Sequence, residues 1–192
     1  MASRSAFLTI GASLILVAAT ANAVSMGPPS IALNLGLIAA YACWVGRGCG
    51  EGVEPAALLP VYLAAVALQC LHFCEEYLTG FQRDFPRLFA AEWSDRQFVV
   101  FNALWLAVFV LAGLGVYRRI GLAVIVVWFF ALAGGVANGA AHLVLCVVTR
   151  RYFPGALTAP FVLLLGVILV RRLAAAGPPA SAHAAAVSST SR

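Results

Sequence analysis

Residues 56–78 read AALLPVYLAAVALQCLHFCEEYL. For most of its length this is an apolar run suited to a helix that crosses a bilayer, which needs about 20 such residues. It then reaches His72, Glu75 and Glu76, with no Lys or Arg in the segment to offset two carboxylates. Ionisable side chains at membrane depth cost on the order of 2.5–3.5 kcal/mol each at a helix centre. The end of this segment is therefore the candidate site. At about 100° per residue, Glu75 falls roughly 60° to one side of His72 and Glu76 roughly 40° to the other. Gln69, one turn earlier, extends the same polar stripe. The competing reading is a hydrated helix end in the interface. Tyr77 and Leu78, which still follow, weaken it.

Outward from this stretch, the composition decides the class. The chain has 192 residues, 63% hydrophobic and 10% charged, with a mean hydropathy of +0.97. A soluble domain of that length needs more polar surface, so the expected fold is all-α, a polytopic transmembrane helix bundle. The net charge of +5 comes from arginine alone. Arginines in the loops fit topology and lipid headgroups, and no nucleic-acid partner is implied. The five cysteines form no CxxC pair. Cys70, Cys74 and Cys146 fall in apolar spans, where cysteine is a small filler.

Six spans are expected, at about residues 6–25, 30–45, 56–78, 98–116, 120–148 and 154–170, in one domain over residues 1–173. The first is read either as a retained helix or as a signal peptide cleaved after Ala21-Asn22-Ala23, which leaves five spans. Residues 81–96 place Phe81, Phe85, Phe89 and Trp93 at a four-residue interval opposite a charged face. That pattern predicts an amphipathic helix lying in the interface, able to roof the site. The fifth span carries the small-residue pairs Gly135/Gly139 and Ala137/Ala141, which favour close helix approach. Residues 174–192 are Ala/Ser/Pro-rich and expected to be disordered, with His183 irrelevant to function.

Alternating spans put the end of the third, the start of the fourth, the end of the fifth and the start of the sixth on one membrane side. The remaining polar residues occur there: Asn102 and Trp105, Asn138 and His142, Tyr152 and Thr158. At about 1.5 Å per residue, His72, Asn102 and His142 all lie roughly 6–9 Å inside the same interface. The arginines divide seven against five between the two sides, which leans towards cytoplasmic termini.

The run His72-x-x-Glu75-Glu76 resembles the defining signature of the HXXEE-motif membrane protein family. Asn138-x-x-x-His142 and Tyr152-x-Pro154-Gly155-x-x-Thr158 are similar to that family's downstream pattern. The resemblance implies a small multi-pass protein of the bacterial inner membrane and no established activity.

Three functions compete. In the first, a membrane-embedded enzyme uses His72, Glu75, Glu76 and His142 to hold one divalent metal, zinc, iron or manganese. Asn102 and Asn138 join them as catalytic candidates, and Gln69, Trp105, Tyr152 and Thr158 contact a lipophilic substrate. A metal-free version uses one Glu as acid beside a base. His72-x-x-x-Glu76 is similar to the pair in the sterol-isomerase-like membrane family. In the second, the same groups relay protons for a transporter. In the third they are a satisfied polar cluster in a lipid-binding or assembly protein.

Overall fold

The computed structural model describes residues 4–176. These form α1 (Arg4–Met26), α2 (Ser30–Gly46), α3 (Pro55–Thr79), α4 (Phe81–Arg87), α5 (Asp95–Tyr117), α6 (Ala123–Phe129), α7 (Asn138–Thr149) and α8 (Ala159–Ala175). No strand occurs among the described residues. A π-helical segment, Phe130–Ala137, joins α6 to α7 without a break. Local chemistry sets the boundaries. Pro55 opens α3, and Gly80 closes it at a φ of 94°, a conformation that costs glycine little. Ser94 and Gln97 form a reciprocal capping box at the start of α5. That box begins the helix three residues ahead of the expected Phe98.

Among the described residues four helices are long and apolar enough to cross a membrane: α1, α3, α5 and the continuous Ala123–Thr149. Helices α2 and α8, also expected as spans, have 17 residues each. At 1.5 Å per residue that is about 25 Å, short of a hydrocarbon core of about 30 Å. The start of α8 moves from the expected Pro154 to Ala159 because residues 154–158 form a turn. The N–H groups of Leu157 and Thr158, which a longer helix would commit to its own ladder, bind Glu75 instead.

The expected interfacial helix is also shorter. It stops at Arg87, Ala90 takes a φ of 51°, and the chain runs on without helix to Ser94. The aromatic stripe survives through a turn: Phe85 lies 4.7 Å from Phe81, 5.3 Å from Phe89 and 5.8 Å from Trp93 between ring centroids.

The core sits where α3, α5, the π segment and α8 meet. Tyr62, fully buried, packs edge-on against Phe130 at 5.5 Å and donates its hydroxyl to the Phe109 carbonyl at 2.8 Å. The small residues of the fifth span make its seam with α8. A Cβ on Gly135 would lie 2.6 Å from Gly166 Cα, and one on Gly139 would lie 2.7 Å from the Ala159 carbonyl oxygen. Ala137 and Ala141 instead face a cavity. Helix α1 is tied into the bundle: Tyr41 donates to the Leu8 carbonyl at 3.1 Å, and Asn22 donates to Asn34 at 3.2 Å. The expected cleavage point lies inside this helix, beside the buried Asn22. The tail expected from Ala174 is helical through Ala175, and residues 177–192, with His183, lie outside the described residues.

Candidate functional site

The last three turns of α3 carry Gln69, His72, Glu75 and Glu76, and α7 carries Asn138 and His142 across from them. The two helices bring three potential ligand atoms together. His72 Nε2 lies 3.4 Å from Glu76 Oε1 and 3.2 Å from His142 Nε2, and His142 Nε2 lies 3.0 Å from Glu76 Oε1. All three residues are buried. They are the only group of His, Cys, Asp and Glu among the described residues with ligand atoms so placed. The imidazole rings meet edge to face, 4.7 Å apart at 89°.

Glu75 points elsewhere. Its Oε1 accepts from the Tyr152 hydroxyl at 2.5 Å and the Leu157 N–H at 2.8 Å. Its Oε2 accepts from the Thr158 N–H at 2.9 Å and the Thr158 hydroxyl at 2.5 Å. Expected as a ligand beside Glu76, it therefore lies outside the cluster and clasps the turn before α8. The rotation of about 100° between successive helix positions is the reason: the two carboxylates leave α3 on opposite sides of His72. Burial, then the hydrogen bond to Glu75, pushes the Tyr152 phenol above its ordinary value, so it remains a donor.

This clasp fixes a tautomer. Thr158 has one hydroxyl proton, and Glu75 takes it. The 2.7 Å contact from Thr158 Oγ1 to His72 Nδ1 must then be filled by the imidazole N–H. His72 Nε2 is left with a lone pair, aimed at Glu76 and His142. Asn138 Nδ2, 2.9 Å away, donates to that lone pair. A carboxylate acting on the outer nitrogen of a histidine is the arrangement that orients imidazoles in metal sites; here a threonine stands between them.

No arginine among the described residues pairs with Glu76; the arginine ion pairs there involve Glu54 and Asp84. A buried carboxylate without a fixed cation needs a proton or a bound cation. Two further atoms in this region lack a partner: His142 Nδ1 and Gln69 Oε1.

Glu76 and His142 form one end of a cavity of about 180 Å³, while His72 stands behind them. The walls are largely apolar and include the rings of Trp105, Phe109 and Phe129; Asn102, Asn138 and Gln69 are among the few polar groups. Asn102 donates to the Phe98 carbonyl at 3.0 Å, and Trp105 donates to Asn22 at 3.2 Å. Asn102 and Trp105 thus face the cavity without joining the cluster. Phe81 of α4 covers His142 at 5.3 Å between centroids, so this short helix does lie over the site.

Sequence reasoning missed Gly155. It takes a φ of 90°, and a Cβ there would lie 2.5 Å from His142 Cε1 and 3.0 Å from His72 Cε1. Only a glycine lets the turn press on both rings. Pro154 reads as the start of the sixth span, so the turn at Pro154-Gly155 is not expected from the sequence, and nothing local signals what it touches.

The described chain is an all-helical bundle with four membrane-length apolar helices and a buried His/Glu cluster. It belongs to the family described as protein of unknown function with HXXEE motif, whose model matches residues 63–170. The match includes the cluster, the turn that clasps Glu75 and most of α8. No curated protein and no solved structure matches the chain.

Proposed function

We propose that this protein is a membrane-embedded enzyme acting on a lipophilic substrate, with His72, Glu76 and His142 as ligands of one divalent cation. The supporting observation is the triangle of ligand atoms at 3.0, 3.2 and 3.4 Å. Four-coordinate zinc, with ligands at about 2.0–2.1 Å, has ligand-to-ligand edges of about 3.3 Å. Two imidazoles and a carboxylate suit zinc, and also iron or manganese. A cation would offset the charge of Glu76. When bound it supplies Lewis acidity. The chain's own residues do the rest. The Glu75–Thr158 clasp holds the His72 lone pair inward, Asn138 gives up its 2.9 Å bond to that lone pair when a cation takes it, and Gln69 and Asn102 orient the polar part of the substrate.

In this reading all six long helices span a bacterial inner membrane, with α2 and α8 completing their crossing in the interfaces and α1 retained. Residues 1–173 form one domain, and the site opens near the non-cytoplasmic face.

One observation favours a metal-free variant. A histidine ligand ordinarily donates its outer N–H to a neighbour, yet His142 Nδ1 has no partner. A proton on His142 Nε2, shared with Glu76, would leave Nδ1 as the unpartnered acceptor and make the pair an acid–base couple.

The test is turnover. Metal-loaded protein in liposomes is incubated with a bacterial lipid extract and the lipids are compared by mass spectrometry. The expected result is a product formed by the parent and absent with a folded Glu76→Gln variant. No altered lipid with loaded, folded protein overturns the enzyme reading.

A further inference from the structure

The cavity beside the cluster does not end at Trp105. Ser25, Gln97, Phe101, Trp105 and Phe129 also line a second hollow, of about 590 Å³, between α1 and α5. Its outer lining includes Leu14, Val24 and Leu104, which are exposed on the apolar flank of the bundle. It follows α5 from Arg96 to Val108, about 18 Å at 1.5 Å per residue. One leaflet of a bilayer core is about 15 Å deep. The groove therefore has the length of an acyl chain standing in one leaflet, with its polar end on the side of the His/Glu cluster.

One observation says what that polar end carries. Arg96, an exposed residue, lines an otherwise largely apolar groove, and its guanidinium has no ion pair or hydrogen bond among the described residues. The adjacent carboxylate of Asp95 accepts from Gln82 at 3.0 Å. A guanidinium matches a carboxylate or a phosphate in charge and in two-pronged geometry; of the two, we take the carboxylate, the headgroup of a single acyl chain. Gln69 Oε1, on the wall of the first cavity and not of the groove, is an acceptor without a donor among the described residues, a place for a hydroxyl group and not for the carboxylate held at Arg96.

We infer that the groove between α1 and α5 is a lateral binding site for a fatty acid. The acyl chain lies between the two helices and the carboxylate rests on Arg96. Ser25, Gln97 and Phe101, where the two hollows meet, are its passage to the cluster. As a statement of substrate class this rests on the proposed enzyme; as a statement of binding it does not.

The test uses metal-stripped protein in detergent, with dibromostearic acid and its methyl ester as probes, because bromine on the chain quenches nearby tryptophan. The expected result is quenching by the acid that Trp105→Phe removes. Arg96→Gln should weaken the acid by about tenfold or more and leave the ester unchanged. Ala18→Phe, which fills the groove without adding a tryptophan, should abolish binding of both. Equal response to acid and ester, unaltered by Arg96→Gln, would mean ordinary lipid contact and overturn the inference. So would a groove that takes no probe but loses a dimer on Ala18→Phe, since a second copy would then be its occupant. Failure of the metal proposal leaves this binding intact. An acid that binds but is never turned over overturns the substrate assignment alone.

Discussion

Replacing Thr158 by valine keeps the shape of the side chain and removes its hydroxyl. Two contacts go with it: the 2.5 Å bond to Glu75 and the 2.7 Å bond from His72 Nδ1. Glu75 keeps three donors, so its loss is about 1 kcal/mol. His72 is fully buried, and its orphaned N–H costs about 1–3 kcal/mol. The stability loss should therefore be about 2–4 kcal/mol, read by thermal unfolding in detergent. The sharper consequence is chemical. Without Thr158 the His72 proton is free to move to Nε2, where it blocks the lone pair aimed at Glu76 and His142. Losing such an outer partner weakens metal binding by about 10–100-fold. A zinc titration against a competing chelator measures this, and Thr158→Ser should restore both affinity and stability. A folded Thr158→Val that binds zinc like the parent would refute the relay.

Other substitutions probe the same account. Gly155→Ala should lower stability by about 1–3 kcal/mol through its left-handed backbone and abolish zinc binding, because the new Cβ falls on the His142 ring; equilibrium titration and unfolding read the two effects separately. Glu76→Gln removes the one carboxylate in the cluster and should eliminate metal binding while the protein still folds, as checked by metal content beside gel filtration. Tyr62→Phe deletes a buried hydroxyl bonded at 2.8 Å in the core, which should cost about 1 kcal/mol and leave zinc affinity unchanged. Mass spectrometry of the protein purified from membranes should find α1 present, since Asn22 holds both Asn34 and Trp105; a chain beginning at Val24 would contradict its retention.

Much of the helical framework was legible because apolar runs and their breakers are local signals. Pro55 and Gly80 bound α3 within a residue of the reading. His72 and His142 were legible for a different reason: alternation of the expected spans puts them at one depth, with Glu76 and Asn138 about a turn away, although Asn102, expected at that depth too, bonds its own helix instead. What escaped the sequence is tertiary. Helical angles alone did not say which of Glu75 and Glu76 meets His142; the turn before α8 decides it by taking Glu75. That same turn shortens α8, so a feature of the site also changed the fold. The π segment was not foreseen either, since an alanine- and glycine-rich run of apolar residues reads equally well as an α-helix. Arg96 looked like one of several interfacial arginines until α1 and α5 left a groove beneath it.

The most direct measurement of the central claim is the metal content of the detergent-purified protein after loading with zinc, iron or manganese, beside folded His72→Ala and His142→Ala variants. The account predicts one tightly held ion per chain in the parent and none in either variant. A parent that retains no ion after loading, or variants that retain as much as the parent, would contradict it.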